Sequence, residues 1–105
     1  MAETLFHVLD AAAWAEARAS GRHAPPELAR DGFLHCCTRA QLGFVAARHF
    51  AGRSGMLALR FRPELCGAAL EWVRSEPDQD PFPHLRGAVP VAAVVEVVAL
   101  ETLAG

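Results

Sequence analysis

The sequence predicts a single α+β domain spanning residues 1–105. Three observations carry that prediction. Short apolar runs of strand length recur along the chain. Capped helical stretches fall in its first half, while strands dominate the second, which differs from regular βαβ alternation. A length of 105 residues with 52% hydrophobic and 21% charged residues suits one globular unit with its own core.

The elements follow in order. Leu5-Phe6-His7-Val8-Leu9 is an apolar run that reads as a buried strand. Asp10 offers a helix N-cap, Ala11–Ala19 have high helix propensity, and Gly21 suits the C-terminal cap. Trp14, Ala17 and Arg18 share a helical stripe, with Trp14 as the anchor to a sheet. Pro26 fits the first position of a short helical turn through Arg30, and Asp31-Gly32 turns the chain. Gly32–Cys36 reads as a second strand. Thr38 followed by Gln41 is a capping-box signature, predicting a helix to about Phe50 with Leu42, Val45, Ala46 and His49 on one stripe. Met56–Phe61 is a third strand, stopped by Pro63, and Ala68–Val73 a fourth. Arg74–Pro83 reads as a surface loop carrying on to His84. After a turn at Gly87–Pro90, the valine-rich Val91–Leu100 is a closing strand.

Composition removes several chemistries. There is no lysine, tyrosine or asparagine, and all ten basic residues are arginine. Schiff-base chemistry, a phosphate-loop lysine and a phenolic acid are therefore excluded. The net charge of −2 argues against a general nucleic-acid or membrane-surface binder. Neither a signal peptide nor a membrane span is visible. Cys36, Cys37 and Cys66 form no disulfide framework and no zinc spacing. The expectation is a protein of the reducing cytoplasm.

The candidates for chemistry are histidines, carboxylates, arginines and thiols. The expected functional surface gathers His7, His35, Thr38 and His84 in one pocket. His7 interrupts an apolar strand, so it is either a core imidazole bonded to backbone or an inward-facing ligand contact. His35 closes a strand just before a capped helix, a corner that collects anionic ligands. Thr38 belongs to that corner, as N-cap, ligand contact or both. Cys37 lies two residues from His35. Either it is a small buried residue or its thiol is activated beside the helix start. His84 is held after Phe82-Pro83, and neutral imidazoles suit both acid–base work and plain hydrogen bonding. Glu71 is a possible carboxylate partner, and Arg86 a possible phosphate contact. No local spacing supports a zinc site built from His7, His35, His84 and Cys37, so no metal is expected.

Taken together, Leu5-Phe6-His7-Val8, Trp14 with Ala17, Gly32-Phe33-Leu34-His35-Cys36, Gln41 with Val45-Ala46, and Phe82-Pro83-His84-Leu85 with Gly87 resemble a small bacterial family, domain of unknown function 952. The resemblance covers nearly the whole chain. It implies a compact ADP-ribosyltransferase-like fold: two small mixed or antiparallel sheets with two to three short helices. It also implies a cleft between the sheets for NAD or an ADP-ribosyl group, with His7, His35 and His84 as signature histidines and His7 on a ribose hydroxyl. The family usually shows serine at Cys37, an aromatic residue at Arg86 and a glutamate at Val73. With no tyrosine to stack a nicotinamide, Phe33, Trp72 or Phe82 would take that place.

Three functions follow as expectations. The first is an enzyme, or degenerate enzyme, acting on NAD or an ADP-ribosyl compound, with no further cofactor required. The second is a non-catalytic binding module for a nucleotide or phosphorylated metabolite. The third is an interaction protein whose valine-rich last strand pairs with a partner.

Overall fold

The computed structural model describes residues 3–104 of the chain. The elements run β1 (Leu5–Asp10), α1 (Ala11–Ser20), β2 (Arg22–His23), α2 (Pro26–Asp31), β3 (Leu34–His35), α3 (Leu42–His49), β4 (Met56–Phe61), β5 (Leu70–Val73), β6 (Phe82–Leu85), β7 (Val89–Pro90), β8 (Val94–Ala99) and α4 (Leu100–Ala104). Single 3-10 turns occupy Pro63–Leu65 and Val91–Ala93. The α+β class agrees with the sequence. In place of two sheets and two to three helices, however, the described residues form three antiparallel sheets and four helices. None of those helices is long and apolar enough to cross a membrane.

The first sheet has the order β1-β4-β8. It is covered on both faces, which explains why β1 and β4 read as continuous apolar runs and do not alternate with polar residues. Leu5, Leu9, Leu59 and Phe61 project to one side, where they meet Leu34, Leu85, Val89 and Ala93. Phe6, Met56 and Ala58 project to the other, where they meet Leu42 of α3 and Leu100 of α4. Strand periodicity places His7 on the Leu5 and Leu9 side, directly opposite Leu59 on β4.

The second sheet has the order β3-β6-β5. Leu34, Leu85 and Leu70 line up across it, as do His35, His84 and Glu71 in the next row. The leucine row faces the core, with Leu34 and Leu85 fully buried, so the polar row falls on the opposite face. The stretch 82–85 is thus the central strand of this sheet, not the end of a surface loop. Pro83 sits in it without breaking it. In a strand, N–H and C=O of one residue point to the same neighbour, and the Pro83 carbonyl accepts from the Cys36 N–H at 3.1 Å. The missing donor of Pro83 therefore falls where β3 has already ended.

The two sheets are joined by backbone hydrogen bonds. Phe6 N–H donates to the Cys37 carbonyl at 2.8 Å, and Cys37 N–H donates to the Phe6 carbonyl at 2.9 Å. A third sheet, β2-β7, pairs Arg22–His23 with Val89–Pro90.

The helix signals hold in α1. Asp10 accepts from the Ala13 N–H at 2.7 Å, and Gly21 adopts the left-handed cap with φ 94°. The Thr38–Gln41 capping box closes in both directions: Thr38 Oγ1 accepts from Gln41 N–H at 3.2 Å, and Gln41 Oε1 accepts from Thr38 N–H at 3.0 Å. It closes a turn that precedes α3, which begins only at Leu42. The closing strand is also shorter than expected. Val91–Ala93 form a 3-10 turn, and beyond Ala99 the chain enters α4.

Candidate functional site

β1 is an edge strand of its sheet, and a cavity of about 710 Å³ opens along that edge. His7, His35 and His84 all line it. Phe44, Arg48 and His49 of α3 also line it, as do the exposed Ser75, Glu76 and Asp78 and the half-buried Gln79. The volume lies within the roughly 300–1,000 Å³ of small-molecule sites.

Glu27, in the first turn of α2, organises the floor of this cavity. Its Oε2 accepts two hydrogen bonds from His35, from the backbone N–H at 3.1 Å and from Nδ1 at 3.0 Å. Burial pushes the Glu27 carboxyl up, but these hydrogen bonds and the neighbouring imidazoles outweigh it and hold the carboxyl below its ordinary range. The His7 side chain is 4% exposed. Its Nδ1 lies 2.7 Å from the His35 carbonyl oxygen, which only accepts, so Nδ1 carries the proton. Burial pushes the His7 pKa down, with Glu27 opposing. The ring is therefore neutral near pH 7, and its Nε2 is a bare lone pair, 3.9 Å from Glu27 Oε1.

His84 stands beside His35 on the sheet, with ring centroids 5.6 Å apart. Phe33 stacks flat on His84, centroids 3.9 Å apart at 7°. Burial is the main cause lowering the His84 pKa, and His35 adds to it. Glu71 lies opposite His84 on β5 and pairs with Arg86. The Arg86 guanidinium in turn sits over the Phe33 ring, 5.8 Å from its centroid. The sequence candidates His35, His84, Glu71, Phe33 and Arg86 thus form one surface cluster, though Glu71, Arg86 and Phe33 stand outside the cavity lining.

The remaining candidates are placed differently. Thr38 is held in its capping box and does not line the cavity. Trp72 lies on the other face of β5, opposite Pro83, and is 50% exposed. Cys37 lines the cavity, but its backbone is fixed to Phe6, and burial pushes its thiol up to about 12. A thiol so protonated is no nucleophile near pH 7. Among the described residues, no group of three or more His, Cys, Asp or Glu is arranged to hold a metal ion.

Two participants carry no clear sequence signal. Glu27 looks like an ordinary acidic residue at a helix start, eight residues from the histidine it binds. His23 reads as a loop residue, yet it is buried on β2 with its ring centroid 5.0 Å from that of His7. Its Nε2 has no hydrogen-bond partner among the described residues, and burial, reinforced by His7, pushes its pKa down to about 4.

A family model described as "Protein of unknown function (DUF952)" matches residues 8–97. Protein CC0527 from Caulobacter crescentus is similar in structure. Its crystal structure is 28% identical with a TM-score of 0.79, over 91% of this chain and 84% of that one. Its solution NMR structure, also 28% identical, gives a TM-score of 0.72 over 90% and 82%. No curated protein matches.

Proposed function

We propose, on the premise that the chain belongs to the DUF952 family of unknown function, that it binds a nucleotide-like small molecule, NAD or an ADP-ribosyl compound, in the histidine-lined cleft. One observation carries this reading: imidazoles from three separate strands and a carboxylate from α2 line one cavity of about 710 Å³. Neutral imidazoles offer hydrogen bonds to sugar hydroxyls, Phe44 and Phe82 offer apolar surface to a base, and Arg48 offers charge to a phosphate. The reading takes the fold as a compact relative of the ADP-ribosyltransferases and the setting as a reducing cytoplasm, in keeping with the free thiols of Cys36, Cys37 and Cys66.

His7 offers a neutral Nε2 from the lining of the cleft, as an acid–base role requires, which favours an enzyme acting on the ADP-ribosyl compound. The second reading, a binding module without turnover, is favoured by the protonated Cys37 thiol, because it leaves the cleft without an activated nucleophile. Calorimetric titration with NAD and ADP-ribose tests both. Binding that is lost in His7→Ala and His35→Ala is expected, and product analysis of the same mixtures separates enzyme from module. No heat with either compound would falsify the nucleotide reading.

A further inference from the structure

We propose that Glu27 is a ligand-binding residue, and that its unpartnered Oε1 and the Nε2 of His7 form a two-acceptor clamp for a vicinal diol. The proposal deepens the cleft reading given above and rests on it for the ligand's remaining parts.

His35 supplies two donors to Glu27, and both go to Oε2. Among the described residues no hydrogen bond reaches Oε1. His7 spends its ring proton on the His35 carbonyl. Two lone-pair atoms therefore face each other at 3.9 Å, beyond hydrogen-bond distance and with no proton between them. Neither atom is sealed off, since among the described residues only His23 Nε2 is both buried and without a partner, and both residues line the cavity, where an incoming donor can reach them.

The complement is a group that brings one proton to each acceptor from adjacent atoms. A vicinal diol does this. A lone hydroxyl serves one acceptor only, and phosphates and carbonyls bring no proton. An ammonium also brings protons, and a lining that sets Glu27, Glu76 and Asp78 against Arg30 and Arg48 does not repel its charge, so methylammonium is the discriminating control. Phosphates of a larger ligand belong toward Arg48 on α3, because the Arg30 guanidinium is taken by Asp31.

Glu27→Gln gives a test that a purely structural carboxylate would pass unchanged. The carbamoyl oxygen of glutamine must take the two His35 donors, which turns its NH₂ toward His7 Nε2 and fills the clamp from within. Nitrogen-15 NMR of the histidine rings in the full chain near neutral pH reads this directly. In the wild type, His7 Nε2 is expected unprotonated. Adenosine is expected to shift its resonance, whereas 2′-deoxyadenosine and methylammonium leave it in place. In Glu27→Gln the resonance is expected already shifted in the free protein and silent to adenosine. ADP-ribose affinity should fall about tenfold or more without loss of thermal stability.

A protonated Nε2 in the free wild type, equal responses to adenosine and its deoxy analogue, a response to methylammonium, or undiminished ADP-ribose binding by Glu27→Gln overturns the clamp. If adenosine shifts Nε2 while NAD and ADP-ribose do not bind, the clamp stands and the dinucleotide reading falls. If both bind the variant and the wild type alike, the cleft reading stands and the clamp falls.

Discussion

A 2.7 Å hydrogen bond from Nδ1 of His7 to the carbonyl oxygen of His35 ties β1 to β3 across 28 residues of sequence. It fixes the tautomer of one imidazole and the backbone position of the next, so structure and site share the same bond.

Replacing His7 by alanine removes the donor and leaves the His35 carbonyl unsatisfied beside a void. The expected cost is about 2 kcal/mol, which for a domain of this size lowers Tm by about 8–16 °C. Thermal unfolding followed by circular dichroism measures it. A melting point equal to that of the wild type would show that the bond contributes nothing.

Acid should destabilise the fold before the carboxylates titrate. His23 is held near pKa 4 in the native protein and returns to about 6.5 when unfolded. Between those values the unfolded state binds the extra proton, so stability falls as pH drops through this window. The His23 contribution amounts to about 3 kcal/mol when pH 4 is reached. Burial gives His7 a shift in the same direction. Urea unfolding at pH 7 and pH 5 should show the difference, and His23→Phe should flatten it.

Thiol accessibility should separate the cysteines. Cys36 and Cys37 are buried, with thiols pushed up by burial, whereas Cys66 is half-buried at about 11. A disulfide reagent at pH 8 is expected to label Cys66 slowly and the other two only after denaturation. Rapid labelling of Cys37 in the native protein would reopen a nucleophilic role.

Gly87 sits where a Cβ would come 2.7 Å from the Cβ of Ala68. Gly87→Ala should therefore cost about 1–3 kcal/mol through overpacking. Adding Ala68→Gly should recover much of it, a coupling that a double-mutant cycle reads.

What the sequence disclosed follows burial and capping chemistry. β4 is found at Met56–Phe61 as expected, because a strand buried on both faces is apolar throughout. The ends of α1 were legible in Asp10 and Gly21, each a residue whose chemistry matches one kind of terminus. β6 was hidden by Pro83, whose usual meaning is an edge or a break. α4 was hidden because Leu100 follows β8 with no turn residue between them. The expected grouping of His7, His35, Thr38 and His84 rests on residue type, element ends and the family resemblance; the three histidines line one cavity, and Thr38 does not. Glu27 was not anticipated, since its partnership with His35 depends on how α2 folds back over β3. His23 was missed because a strand of two residues leaves no periodicity to find.

The paired amides of Phe6 and Cys37 act as a rivet at the base of the cleft. They hold the angle between the two sheets, so the histidine floor cannot widen without breaking backbone bonds. On the nucleotide reading, a guest would meet this fixed floor on one side and the largely exposed run from Ser75 to Gln79 on the other. If that reading holds, shortening the run should change the rates of binding and release more than the contacts made with His7, His35 and His84.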